Sequence, residues 1–103
     1  MSDVITHLTS NIEPVLSEPL AVLYFSAPWC GPCKNLKPII EAYEQAHPEL
    51  KFVKINIDEQ PDLSTLYHIR AVPTLIVLRD GAEAARKIGS MSASQLNELI
   101  DNA

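Results

Sequence analysis

Cysteine is scarce in this chain. Two in 103 residues are too few for the disulfide framework of a small secreted domain. A chain of this length can bury a real core and needs no covalent staple. No apolar run approaches the roughly 20 residues of a membrane-spanning helix. Basic charge is also in deficit, with eight Lys and Arg against 13 Asp and Glu and a net charge of -5. The charges are scattered, which leaves no footprint for nucleic acid or an anionic membrane. The opening residues Met1-Ser2-Asp3-Val4 lack the basic region and long apolar stretch of a secretory leader, so a cytoplasmic location is expected. Repeats, low-complexity tracts and linker-like stretches are absent, and a single domain over residues 1–103 is expected.

What is present reads as alternating strands and helices, an α/β layered domain. Val4 to Leu8 suits an edge strand, and Ile12, Val15 and Leu16 suit a short helix ending near Pro19. Leu20 to Phe25 is a continuous apolar run, as expected of a central strand covered on both faces. A helix should begin around Cys30 to Cys33, burying Leu36, Ile39, Ile40, Tyr43 and Ala46, kinked rather than broken by Pro38 and closed by Pro48. Phe52 to Ile57 reads as a strand with Val53, Ile55 and Ile57 on one face. Pro61 opens a short helix carrying Leu63, Leu66 and Tyr67. Thr74 to Leu78 and Ala84 to Ile88 form a hairpin about Asp80-Gly81. Ser92 and Gln95 make a capping-box pattern for a last helix, with Met91 and Leu96 as its hydrophobic staple and Leu96, Leu99 and Ile100 facing the sheet. The predicted order is β-α-β-α-β-α-β-β-α, with an antiparallel final hairpin and parallel pairing across the earlier crossovers.

Both cysteines fall in Trp29-Cys30-Gly31-Pro32-Cys33, at a strand-to-helix junction. Thiolate is the reactive form of cysteine, and an ordinary thiol with pKa about 8.5 is only a few per cent ionised at neutral pH. Unpaired N–H groups and the positive dipole end at a helix start favour the anion. Two intervening residues let the second sulfur reach the first. Cys30, nearer the exposed helix start, would attack a substrate disulfide, and Cys33, one turn deeper, would resolve the mixed disulfide. Pro32 would stiffen the turn, and Trp29 would shape a contact surface. Two other readings stand beside this one. A C-x-x-C is also half of many zinc sites, but zinc needs further ligands and His7, His47 and His68 form no H-x₃-H pair, so no metal is expected. A buried, inert pair is the third reading.

The motif Trp29-Cys30-Gly31-Pro32-Cys33-Lys34 resembles the active site of the thioredoxin family. Lys54-Ile55-Asn56-Ile57-Asp58, Ile69-Arg70-Ala71-Val72-Pro73-Thr74-Leu75, Asp80-Gly81 and Lys87-Ile88-Gly89 follow in the family's order and spacing. The resemblance implies the thioredoxin fold, a central mixed sheet flanked by helices, and a cis Val72-Pro73 bond beside the cysteines. It implies a substrate-facing rim of Trp29, Gly31, Val72, Pro73 and Gly89, where the Val72 backbone pairs with an extended substrate segment. It also implies a monomeric protein-disulfide reductase that uses no cofactor beyond the Cys30-Cys33 disulfide. Such a protein draws electrons from a flavin-dependent thioredoxin reductase and passes them to disulfide-containing proteins such as ribonucleotide reductase, peroxiredoxins or methionine sulfoxide reductases. Gly-Pro between the cysteines resembles the reductants of the family; isomerases and oxidases typically place histidine there, and glutaredoxins carry Pro-Tyr.

Four positions depart from the family pattern. Tyr24 stands six residues before Cys30, where a buried aspartate usually assists proton transfer at the second cysteine. A tyrosine with pKa near 10 is a poor base at neutral pH, so slower deprotonation of Cys33 is expected. Lys54, the family's partner to that aspartate, should be less constrained here. Ser26 replaces a tryptophan, and Pro28 a commonly acidic residue. Ala71 stands where glycine is common, which implies that its φ is not positive. A thioredoxin-fold binding module within a larger assembly is the alternative function, and serine replacement of the cysteines separates the two.

Overall fold

A computed structural model describes residues 16–103. Seven elements follow in the order β1 (Leu20–Ser26), α1 (Gly31–Ala46), β2 (Lys51–Asn56), α2 (Pro61–Leu66), β3 (Thr74–Arg79), β4 (Ala82–Ile88) and α3 (Ala93–Asp101). They match the last seven elements of the predicted order. The expected edge strand and first helix lie outside the described residues, except for Leu16, which packs against the core.

The strands form one sheet in the order β2-β1-β3-β4. Central β1 alternates its side chains between two cores. Ala21, Leu23 and Phe25 face Ile55, Ile76, Leu78 and Leu63 of α2. Val22 and Tyr24 face the other way, against Leu75, Val77, Leu36 and Ile40 of α1, and Leu96 and Ile100 of α3. The continuous apolar run of β1 therefore reflects burial on both faces.

Pairing of β1 with β2 is parallel, as expected, but β1 with β3 is antiparallel. The length of the connecting helix explains the correction. The 16 residues of α1 span about 24 Å at 1.5 Å per residue and carry the chain back to the start of the sheet. The six residues of α2 span only about 9 Å, short of a strand's length. So β3 enters at the end where β2 leaves, with Thr74 opposite Phe25.

The hairpin turns at Asp80 and Gly81, with φ of 53° and 84°, the pair of positive values a type I′ turn requires. β4 starts at Ala82, two residues before the expected Ala84, and the β3–β4 ladder shifts register by one residue between Val77 and Leu78, at Ala84. α1 runs unbroken through Pro38, and its C-cap is His47. Ala46, expected on the buried face, is exposed, as is Leu66 at 38%. The capping box of α3 is present in both directions, and Met91 and Leu96 are buried in the same cluster.

Candidate active site

The strand-to-helix junction brings the cysteines together. β1 ends at Ser26, and a turn closed by the Cys30 N–H donating to the Ala27 carbonyl at 3.1 Å leads into α1. Cys30 is the N-cap of α1 in extended conformation. Its Sγ accepts the Cys33 backbone N–H at 3.1 Å, the bond that an N-cap oxygen usually accepts. Pro32, in the first turn, has no N–H to offer, so the Cys33 amide is the donor aimed at this sulfur. Cys30 and Cys33 are joined by a disulfide with Cα atoms 5.3 Å apart. The two are buried alike, at 4% and 5% exposure, so the expected contrast between an exposed first and a deeper second cysteine is absent in this bridged state. Ala27, Ile57 and Val72 pack around the pair.

The rim residues sit as follows. Trp29 is 66% exposed, and its Nε1 donates to Asp58 Oδ2 at 3.0 Å. Gly31 and Pro32 are exposed. The Val72-Pro73 bond is cis, and the Pro73 carbonyl accepts the Gly89 N–H at 2.8 Å. Gly89 has φ of 95°, a conformation that favours glycine. Ala71 is not among the residues with positive φ, as inferred. Its carbonyl accepts the Thr74 hydroxyl at 2.6 Å, which braces the loop that enters β3.

Tyr24 is enclosed at 4% exposure, and its hydroxyl donates to the backbone carbonyl of Cys33 at 3.2 Å. Burial pushes its phenol above the ordinary value of 10.0, with the Ser26 hydroxyl pulling partly the other way. At neutral pH Tyr24 is therefore a neutral donor. Lys54, about half exposed, pairs its ammonium with Glu44 of α1 at 3.0 Å. β1–β2 pairing puts Lys54 beside Tyr24 in register, yet with no carboxylate at position 24 the ammonium takes the acid on the helix. A cavity of about 320 Å³ opens beside Cys33, lined by Tyr24, Ser26, Ala27, Pro28, Lys34, Lys37 and Asn56.

Sequence reasoning missed Asp58 as the partner of Trp29. Its signal lay in the matched segment from Lys54 to Asp58, where Asn56 Oδ1 accepts the Asp58 N–H at 2.9 Å and fixes the turn. Ile57, expected only as a strand residue, and Ala27, which carries no sequence signal of its own, contact the cysteines.

Three comparisons bear on this site. The family model described as Thioredoxin matches residues 4–102. A thioredoxin of Mycoplasmoides gallisepticum is 42% identical over 97 residues, covering 91% of this chain and 97% of the relative. One from Chlamydia trachomatis is 36% identical, covering 87% and 88%. Among solved structures, oxidised mitochondrial thioredoxin 3 of Saccharomyces cerevisiae is similar with a TM-score of 0.82 at 30% identity, covering 91% of this chain and 89% of that one. Fasciola hepatica thioredoxin gives 0.80 at 33% identity, covering 89% and 88%. A family model that takes in the cysteine turn and the Val72-Pro73 loop alike, beside relatives matched over most of their length, places the chain in the thioredoxin family of thiol-disulfide oxidoreductases.

Proposed function

We propose that this protein reduces protein disulfides with Cys30 as the attacking thiolate and Cys33 as the resolving thiol. The observation that carries the assignment is the Cys33 N–H held 3.1 Å from Cys30 Sγ at the start of a 16-residue helix. An N–H bond to a thiolate is charge-assisted, and the helix dipole adds to it, so the pKa of Cys30 falls toward neutrality. Equal burial of the cysteines gives no basis for choosing between them; the direction of this bond does. Cys30 thiolate attacks one sulfur of a substrate disulfide, and the other sulfur leaves as thiolate. Cys33, deprotonated, then attacks Cys30 Sγ, closing the intramolecular disulfide and expelling the second substrate thiolate. Two electrons pass to substrate, carried by the cysteine pair, and the family uses no cofactor.

Trp29, Gly31, Val72, Pro73 and Gly89 form the rim that receives the substrate, in our reading. Val72 packs on the cysteines and precedes β3, so an extended segment laid along its backbone brings a disulfide over Cys30. Pro32 stiffens the turn, and Tyr24 holds the Cys33 carbonyl. Lys54 acts at most on the field of the site, from its ion pair with Glu44. A reductase restores the dithiol; in this reading it is a flavin-dependent thioredoxin reductase. The protein works as a single-domain monomer in the cytoplasm, with no nucleic acid or membrane partner.

Equilibration with defined thiol buffers tests the assignment by its reduction potential. A value near the thioredoxin figure of about -270 mV is expected, against about -180 mV for a disulfide isomerase, a gap of roughly 4 kcal/mol for two electrons. A value near the second overturns the reductant reading. Failure to form a reversible disulfide leaves the binding module, whose biological activity survives serine at both cysteines.

A further inference from the structure

Among the described residues, the cavity beside Cys33 offers cations and hydrogen-bond donors but no basic proton acceptor. Resolution requires Cys33 to lose its proton. Around the cavity, the Tyr24 phenol is neutral and its proton is directed at the Cys33 carbonyl. Lysine ammoniums have donors only. Neither a carboxylate nor an imidazole lines the cavity among the described residues. Lys34 and Lys37 are exposed on the first turns of α1, without an ion-pair partner among the described residues. Two such lysines at one opening stand out on a chain of net charge -5. Asn56 adds to them. Its Oδ1 is occupied by the Asp58 N–H, which leaves its amide NH₂ available to a ligand.

We infer that this cavity binds a small oxyanion of the phosphate class, inorganic phosphate or a phosphomonoester, which accepts the Cys33 proton. This rests on the reductase reading above. Two ammoniums and an amide NH₂ match a multi-oxygen anion. A volume of about 320 Å³ holds it with its waters. Among oxyanions, a phosphomonoester with a second pKa of about 6, or inorganic phosphate with a higher one nearer neutrality, is a better acceptor at neutral pH than a carboxylate near 4. The dianion takes the proton from Cys33–SH and becomes the monoanion. Cys33 thiolate attacks Cys30 Sγ, the bond from Cys30 to the substrate sulfur breaks, and the leaving thiolate recovers the proton from the monoanion. The oxyanion is regenerated, and the electron pair comes from the cysteines alone. The anion supplies what the family's aspartate would have supplied at position 24.

The test uses inorganic phosphate at constant ionic strength, balanced with chloride. On the oxidised protein, NMR titration should shift the Asn56 side-chain amide saturably. Half-saturation should rise by about tenfold in a Lys34→Gln/Lys37→Gln double variant, because two charge-assisted contacts are lost. Both lysines are exposed, so that variant keeps the core intact; Lys51→Gln, at the start of β2, controls for the loss of a surface lysine away from the cavity and should bind phosphate as the parent does. In stopped flow, reduced protein is mixed with excess aromatic disulfide and release of the second thiol is followed. The rate should rise saturably, by roughly a hundredfold, the low side of what a positioned base contributes, at the same half-saturation as the NMR shift. Non-saturating shifts, equal binding by the double variant, or a release rate unmoved by phosphate each overturn the inference. A chain that never releases the second thiol at any phosphate concentration, while phosphate still shifts Asn56, overturns the reductase reading instead.

Discussion

The Tyr24 hydroxyl makes two interactions that packing alone does not require, a hydrogen bond donated to the Cys33 carbonyl and a contact with the Ser26 hydroxyl. Tyr24→Phe keeps the ring in its cluster and removes both. The expected cost is about 1 kcal/mol in urea denaturation, with a disulfide-reduction rate changed by less than about tenfold, since a neutral phenol tied to a carbonyl is not the base. A larger loss of rate would show that the phenol takes part in proton transfer. Tyr24→Asp is the complementary variant, expected to speed turnover at neutral pH by restoring a carboxylate. Glu83 gives a second prediction at this scale. Arg86 donates to both its oxygens at 2.8 Å and holds its carboxyl below the ordinary 4.5, against a smaller opposing effect of burial. A depressed folded pKa means stability that is present above the unfolded value and lost as pH falls through the folded one. Stability should therefore fall more steeply between about pH 5 and 3 in the parent than in Glu83→Gln. The group is largely exposed, so added salt should shrink the difference. Cysteines were legible because there are only two, set three apart at a helix start. The Trp29–Asp58 and Lys54–Glu44 contacts were not, because each joins residues that only the folded chain brings together.

Elements with local signatures were legible at the scale of single turns. Ser92 and Gln95 announce α3 because both halves of a capping box lie within four residues. Cys30 caps α1 as a serine would, which the sequence presents only as a redox motif. The start of β4 was misread because Ala82 and Glu83 have little β-propensity; pairing with Leu78 and Arg79 holds them in the strand. Asp80-Gly81 was read correctly, and the structure adds a reason. A Cβ on Gly81 would lie 2.7 Å from the Leu16 carbonyl oxygen, at φ of 84°. Gly81→Ala therefore combines a left-handed alanine, costing about 1–2 kcal/mol, with a backbone clash. A total loss of at least about 2 kcal/mol is expected in urea denaturation. A loss under about 0.5 kcal/mol would mean that the approach of Leu16 relaxes freely.

Across the whole molecule, β1 was legible as the centre because only a strand buried on both faces reads as an unbroken apolar run. The direction of β3 was not, because it depends on how far α2 carries the chain rather than on any residue within β3. The same architecture separates stability from redox chemistry. Leu23 is fully buried on the face of the sheet opposite α1 and lies in the cluster with Phe25, Ile55 and Ile76, which meets the cysteine cluster only through the partly buried Ile57 and Val72. Leu23→Ala should remove about 2–5 kcal/mol, a large part of the roughly 5–15 kcal/mol of a domain this size. The lost contacts do not include the cysteines themselves, so the loss should be nearly the same whether they are bridged or reduced. In the thermodynamic cycle linking folding to reduction, equal destabilisation of both states cancels. At about 30 mV per 1.4 kcal/mol, even a small fraction of the loss felt by one state alone would register. The potential of Leu23→Ala should stay within about 10 mV of the parent's while its denaturation midpoint drops sharply. A shift of about 30 mV or more would mean that the core of β1 is coupled to the cysteine turn it leads into, and that the site is not set by its local hydrogen bonds alone.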